Sequence, residues 1–479
     1  MSDARKIAKN TTVLYIAQII TYVLGFFITV YTIRYLSVDS YGILSTALAL
    51  TGIYVVFSDL GLSTLTVREV ARDKSLTKKY VGNTTVMKLF LSLFTFLLTI
   101  VTAYVVGYSE TTVIVIYILT ISFIFNAFSS IFYSIFQSYQ KMEYQSVATI
   151  LNSVVMLLGI LIVINQGLNV IAFALVYLIA NAVNFIYVLI TYAWKFYLPN
   201  IEVDLGFWKP TIREALPLSI TSIFAIIVFR VDTVILSIIK GVEAVGFYNA
   251  AYRLMEALIF FPQVYTIAIF PVFSTLYVSS KKPLKTAYLK SFKYLTILSL
   301  PIAVGTTLLA QPIILLLFKT AYIPSILALQ IVVWVLPFIF VNYIQGSLLT
   351  AMNRQITVLK ITAASLALCV VLNLVLIPIY SFLGAAFVTV ITEVFSVSLS
   401  FYVLSKLIAK VKVHEVVFKP AIACLAMALF ILLVPTNLFV VIIISIIIYF
   451  AVLIALQGFT SDDYDLFRQI LDIKKGEKD

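Results

Sequence analysis

Residues 222–239 read SIFAIIVFRVDTVILSII, a long apolar run interrupted near its middle by Arg230 and Asp232. A charged side chain at the centre of a bilayer costs about 2.5–3.5 kcal/mol on insertion scales. Mutual neutralisation does not account for the pair, because residues two apart on a helix point about 200° away from each other. Each charge therefore needs its own partner, on another helix, in a water-filled cavity or on a substrate. The two side chains suit different chemistry. A guanidinium presents a planar fork of donors that can hold two phosphate oxygens. A sheltered carboxyl can take up and release a proton or Na⁺ as its surroundings change. Groups of both kinds recur in or beside other apolar stretches, as Arg34, Asp59, Lys88, Arg253, Glu256 and Glu393.

The elements that must carry these groups follow from composition. The 479 residues are 62% hydrophobic and 11% charged, with a mean hydropathy of +1.09. A soluble domain carries about 25% charged residues, so the chain is a polytopic membrane protein. Its start, MSDARKIAKNTT, is a short polar segment running into an apolar one, and no cleavable signal peptide is expected. Cys369 and Cys424 both sit in apolar stretches and read as small buried hydrophobes, neither disulfide nor metal ligand.

Stretches of about 20 apolar residues, the length that crosses a bilayer core, number fourteen. They lie near 11–33, 41–63, 84–106, 111–135, 146–165, 168–193, 216–239, 244–273, 293–317, 324–350, 358–378, 382–405, 416–434 and 437–457. Lys and Arg concentrate in cytoplasmic loops, which tests the count. Alternate connections and the two ends hold 27 of the 33 basic residues; the opposite loops hold only Arg34, Lys240 and Lys319, and Lys88, Arg230 and Arg253 lie inside helices. A wrong helix count would scramble that alternation. The expectation is fourteen spans in the cell membrane with both termini cytoplasmic. The net charge of +12 then needs no nucleic acid to explain it; it is a topology signal, helped by attraction to anionic lipid headgroups.

The two halves echo each other. Leu36-Ser-Val38-Asp39-Ser-Tyr-Gly42 follows helix 1, and Lys240-Gly-Val242-Glu243-Ala-Val-Gly246 follows helix 7, so Val-acid-x-x-Gly recurs at an offset of 204. QKMEYQ at 140–145, before helix 5, matches AMNRQ at 351–355, before helix 11. Six helices separate the copies, so both keep one orientation. Parallel repeats imply two six-helix lobes about an axis along the membrane normal, with a site between them. The ranges are 1–205 for helices 1–6, 206–412 for helices 7–12, and 413–479 for two extra helices and a tail.

These stretches also carry a resemblance. RKIAKNTTVLYIAQIITYVLGFFITVYTIRYLSVDSYGILSTALAL, FSDLGLSTLTVREVAR, FRVDTVIL with GVEAVGFYNAAYRLMEAL, and AMNRQITVLKITAASLALCVVLNLVLIPIYSFLGAA together resemble the polysaccharide-export flippases. Those belong to the multidrug/oligosaccharidyl-lipid/polysaccharide exporter superfamily. The resemblance implies a transporter that turns lipid-linked oligosaccharide from the inner to the outer leaflet by alternating access. It further implies that helices 1, 2, 7 and 8 line a central cavity, and that helices 13 and 14 form a groove for the lipid tail. On that arrangement Arg34, Asp59, Arg230, Asp232, Arg253 and Glu256 belong to cavity-lining helices. Arg230 and Arg253 are then the expected ligands of a (pyro)phosphate headgroup, with Arg34 near the outer mouth and Lys88 of helix 3 as lesser candidates. Asp59, Asp232 and Glu256 are the candidates for coupling to Na⁺ or H⁺; passive exchange is the alternative.

Plain structural roles compete with these. Arg253 and Glu256, three apart, share a helix face and can neutralise each other. Asp232 can pair with Arg253 across helices 7 and 8, Arg34 can snorkel from a helix end, and Glu393 reads as structural. Gly25 and Pro262 are the candidate hinges, since an interior proline removes a backbone hydrogen bond and kinks the helix; fixed kinks, including one at Pro337, are the other reading. In the tail, Tyr464, Phe467, Ile470 and Leu471 fall on one face, as in an interfacial amphipathic helix.

An enzyme is not expected. His414, the single histidine, lies in a basic loop, and no GK[ST] glycine loop is present to hold a nucleotide phosphate. A cation-coupled multidrug antiporter of the same superfamily is the rival; cationic substrates favour an acid-lined cavity, and three arginines on helices 1, 7 and 8 weigh against it. The expected partners are lipid-linked oligosaccharide and membrane lipids, with no cofactor beyond the coupling ion, no metal and no nucleic acid, for a chain acting as a monomer.

Overall fold

The structure is a computed structural model that describes residues 3–196, 201–408, 410–434, 437–460 and 463, with side chains from residue 12 onward. The expected amphipathic tail, Tyr464 to Leu471, lies outside the described residues. No strand occurs among the described residues, as a bilayer requires of any span that is not a closed barrel.

Ten of the apolar helices are single spans. Helices 1–6 are Thr12–Tyr35, Val38–Ser58, Lys74–Val106, Glu110–Ser138, Met142–Asn165 and Val170–Lys195; helices 9, 10, 13 and 14 are Lys281–Leu308, Ser325–Ala351, Val413–Leu433 and Leu438–Ala455. Two others are composite. Leu205–Ser279 has 75 residues, about 110 Å of helix against a hydrocarbon core of about 30 Å. It turns back at Gly241, whose φ of 81° suits a residue without Cβ. Helix 7 is therefore 205–240 and helix 8 is 242–279. Gln355–Leu407 turns back at Ser381, φ 52°, giving helix 11 (355–380) and helix 12 (382–407). Among the described residues the total is fourteen, the number the sequence predicted.

Connections are short and capped locally. Ser37, Ser109, Asn169 and Asn437 accept from the first-turn amides of helices 2, 4, 6 and 14, which satisfies groups the helix itself leaves open. Helix 2 ends in a tight 3₁₀ turn, Val55–Ser58. Leu60 and Gly61 then take positive φ before a short polar helix, Leu62–Arg72. Arg68 of that helix pairs with Glu214 at the start of helix 7. Helix 3 shows the bilayer side: Leu89, Phe90, Leu93, Phe94, Leu97 and Val101 are each more than half exposed along one stripe.

The described chain falls into two compact units. The first comprises Met1–Ala257, Leu317–Ala328 and Val358–Thr392; the second comprises Leu258–Leu316, Leu329–Thr357 and Glu393–Asp479. These units follow compactness, whereas the ranges 1–205 and 206–412 follow the repeat, and the two divisions do not coincide. The first unit has a core around Leu65, Ile131, Ile135, Phe136, Val188 and Ala215. In the second, Ile297 of helix 9 packs with Ala423, Cys424, Met427, Tyr449 and Leu453, so helices 13 and 14 stand on helix 9.

Within the first unit the repeated motif meets itself. A methyl group on Gly42 would lie 1.8 Å from the Val242 carbonyl oxygen, and one on Gly246 would lie 2.3 Å from that of Val38. The two copies of Val-acid-x-x-Gly thus lie reciprocally against each other, each glycine under the other copy's valine carbonyl. Glycine is required there because any Cβ would occupy the partner's backbone. Tyr41 and Tyr322 pack edge to face beside this contact, and Ser325 donates to the Phe247 carbonyl at 2.8 Å.

Candidate functional site

Helices 7 and 8 form an antiparallel hairpin about Gly241, with polar cross-links between its two arms. Asp232 faces Tyr248, Thr233 faces Asn249, and Arg230 faces Glu256. That register decides the ion pairs. Glu256 accepts from Arg253 Nη1 on Oε2 at 2.7 Å and stands 3.4 Å from Arg230 Nη2 through Oε1. One carboxylate thus gathers two guanidiniums, leaving a net positive cluster whose members are each about a quarter exposed. The Tyr41 and Tyr177 side chains, from helices 2 and 6, lie close enough to act on the Arg253 charge.

Arg230 and Asp232 do not pair, as their spacing predicts. The expected pairing of Asp232 with Arg253 is not formed, because Arg253 lies beyond residue 248 on the returning helix and meets Glu256 instead. Asp232 is buried, 3% exposed. It accepts from the Tyr248 hydroxyl, from the Thr233 amide at 2.7 Å, and from Thr389 Oγ1 of helix 12 at 3.4 Å. Among the described residues it has no cationic partner. Tyr248 and Thr389 carry no signal of this role in the sequence, since a tyrosine and a threonine are ordinary residues in apolar helices.

Lys88 and Asp59 are brought together, away from that cluster. The Lys88 ammonium is fully buried and meets Asp59 Oδ1 at 2.5 Å. It also lies 2.9 Å from Ser63 Oγ, 2.6 Å from Ser130 Oγ and 3.0 Å from the Ala127 carbonyl oxygen. Asp59 in turn accepts from the Gly61 and Ser63 amides at 3.2 and 3.3 Å, which caps the Leu62–Arg72 helix. In this conformation Lys88 has its donors spent on protein. Arg34 lies exposed in the last turn of helix 1.

The two hinge candidates differ. Helix 1 runs unbroken through Gly25, and a methyl group there would meet nothing within 4 Å. Helix 8 is interrupted at Ile259 and resumes as Phe260–Ser279, with Pro262 buried in its first turn. The break sits next to the point, between Ala257 and Leu258, where the chain leaves one compact unit for the other. Pro337 likewise follows an interruption, between Ser325–Val332 and Val335–Ala351. In both cases the missing amide falls in a first turn, where it has no partner to lose.

The second unit holds an apolar groove of about 300 Å³, lined by Phe292, Trp334, Phe338, Val397, Phe401 and Val413 among others. Helix 13 contributes to it together with helices 9, 10 and 12. Helix 14 lies beside helix 13, as expected, with Tyr449 and Leu453 packed with Ala423, Cys424 and Met427, and it supplies none of the residues lining this groove.

Comparison with known proteins matches this arrangement to a family. A family model described as polysaccharide biosynthesis protein matches residues 7–277, and a second, MatE, matches residues 217–379. MJ1068, an uncharacterized membrane protein of Methanocaldococcus jannaschii, is 29% identical over 168 residues, 35% of this chain and 33% of its own length. The chain therefore aligns with about a third of that relative. A structure of the lipid II flippase MurJ in an inward closed conformation superposes with a TM-score of 0.78 at 16% identity, covering 92% of this chain and 98% of that one. An inward-facing multidrug resistance MATE family transporter of the MOP superfamily gives 0.65 at 17% identity, covering 81% and 94%. At such identities the superpositions show the fold, and the match of the family model over more than half the sequence shows the family: this chain, with its many apolar helices of membrane-crossing length, belongs to the polysaccharide biosynthesis protein family.

Proposed function

We propose that this protein is a flippase that carries polyprenyl-phosphate- or pyrophosphate-linked oligosaccharide from the inner to the outer leaflet by alternating access. The observation that carries the reading is the gathering of Arg230 and Arg253 around Glu256. Two guanidiniums on facing helices offer more donors than one carboxylate can use. Glu256 occupies the place a lipid phosphate would take, so the headgroup competes with it for the same forks. Release follows when Glu256 re-forms its pairs, which keeps the site from holding its cargo too tightly. A cationic drug meets net positive charge at this place, because Glu256 is shared by two arginines. Of the three candidate coupling acids, Asp59 and Glu256 are each held by a cation in this conformation, and Asp232 is not. We further propose that the chain acts as a monomer in the cell membrane, with both termini on the cytoplasmic side, on the strength of the alternating basic loops.

The test is leaflet reorientation in proteoliposomes, with lipid-linked oligosaccharide followed by its accessibility to added glycosidase. Arg230→Ala, with folding intact, is expected to slow reorientation by at least about 30-fold, the loss of about 2 kcal/mol from a charge-assisted contact. A native chain that moves no such lipid but expels organic cations would make it a drug antiporter and Arg230 a structural partner of Glu256.

A further inference from the structure

Glu393 lies near the middle of helix 12. Its Oε1 accepts from Asn342 Nδ2 of helix 10 at 2.5 Å, and the same amide nitrogen donates to Ser396 Oγ at 3.1 Å, one turn further along helix 12. All three residues belong to the second compact unit. Unlike Asp59 and Glu256, Glu393 forms no ion pair among the described residues. Of the charged and titratable groups on the helices packed around it, these are engaged elsewhere. On helix 9, Lys290 and Lys293 turn to Asp463, and Tyr288 meets Gln345. On helix 10, Tyr343 meets Gln263, and before helix 13 Lys412 pairs with Glu415 at its start.

A carboxylate held at this depth without a cation is costly, and binding a proton removes the charge that makes it so. The geometry points to a proton-binding site at Glu393, held by Asn342 and Ser396. We therefore infer that the proton is the ion whose uptake and release accompany transport, an inference that rests on the transport reading above. A proton delivered from water converts the carboxylate to the acid at Oε2, while Oε1 keeps its bond from Asn342. A metal cation would need several oxygens turned toward it, whereas Asn342 presents its donor nitrogen to both Glu393 and Ser396. The position is suited to coupling. Glu393 is the first residue of the second unit on helix 12, and helix 10 enters that unit at Leu329, just ahead of its break at Val333 and Trp334. A change of charge at the Asn342–Glu393 link therefore acts on helix 12 at the residue where it passes from one unit to the other.

The first measurement is infrared difference spectroscopy on the full chain in lipid nanodiscs, without substrate, from about pH 9 to about pH 5. A protonated-carboxyl component should grow in as pH falls, vanish in Glu393→Gln and persist in both Arg230→Ala and Asp232→Asn, the latter removing the other buried carboxyl that lacks a cation. Asn342→Leu removes the hydrogen bond but not the carboxyl, so it should shift the band rather than abolish it. In proteoliposomes a one-unit pH gradient should change the steady-state leaflet ratio of lipid-linked oligosaccharide about tenfold for the native chain, and less than about twofold for Glu393→Gln. The absence of a titrating band, or a band indifferent to Glu393→Gln, overturns the proton site even if lipid moves. So does transport that follows a sodium gradient and ignores pH. A band lost in Glu393→Gln with no lipid moved upholds the proton site and sinks the flippase reading.

Discussion

Asp59 and Lys88 are unequal partners, and the inequality predicts how their variants behave. Lys88 is wholly buried, while the Asp59 side chain is about a third exposed. Asp59→Asn leaves an ammonium stranded inside the protein and should cost about 3–5 kcal/mol. Lys88→Met leaves a carboxylate that retains backbone donors and some access to water, and should cost about 1–3 kcal/mol. The double variant should cost less than the sum, and a thermal double-mutant cycle in detergent measures the difference. At Glu256 the expected outcome concerns binding. Glu256→Gln removes the internal competitor for Arg230 and Arg253, so lipid-linked oligosaccharide should bind about tenfold more tightly and turn over more slowly. A binding isotherm and a reorientation rate on the same variant check both halves. The sequence singled out these residues because charges in apolar runs are conspicuous. It did not tell which would meet. Asp59 and Lys88 are 29 residues apart on different helices, and no spacing rule reaches that far.

The glycines of the repeat belong to the scale of elements. Gly42→Val or Gly246→Val drives a side chain into the facing carbonyl and should destabilise by about 1–3 kcal/mol or force helices 2 and 8 apart. Gly25→Ala meets open space inside an unbroken helix and should stabilise by about 0.4–1 kcal/mol. Thermal denaturation of the three variants side by side is the check. The end of helix 14 supplies a second case. Burial pushes the Asp463 carboxyl up, but the Lys293 ammonium, the Tyr294 hydroxyl and the Thr460 amide and hydroxyl outweigh it and hold the group well below the usual carboxylate range. A carboxyl depressed in the folded state stabilises fully above its unfolded value, about 3.9, and loses that contribution as pH falls below about 4. Asp463→Asn should therefore lower the melting temperature at neutral pH and flatten the acid limb of the stability profile. Repeated motif and helix count were both readable from the chain. The reciprocal contact was not, because a repeat shows that two segments are alike and says nothing of whether they touch.

At the scale of the whole molecule, the basic residues predict which faces meet the cytoplasm. A cysteine placed at Lys282 should react only with reagent delivered from the cytoplasmic side, and one at Leu168 only from outside, in a background with Cys369 and Cys424 replaced. Labelling of both from one side would overturn the fourteen-helix orientation. Membership of the membrane class, the number of spans and the expectation of paired charges came from the sequence alone, because the bilayer imposes them locally: about 20 apolar residues per crossing, and a penalty on every unpartnered charge. The choice of partners belonged to the tertiary structure. Glu256 rather than Asp232 meets Arg253, Asp232 meets Tyr248 and Thr389, and Glu393 meets Asn342. Those choices depend on the turn at Gly241, the rotation of each helix about its own axis and the level at which helices cross. None of these leaves a trace in hydrophobic periodicity, since a lipid-facing helix is apolar at almost every phase.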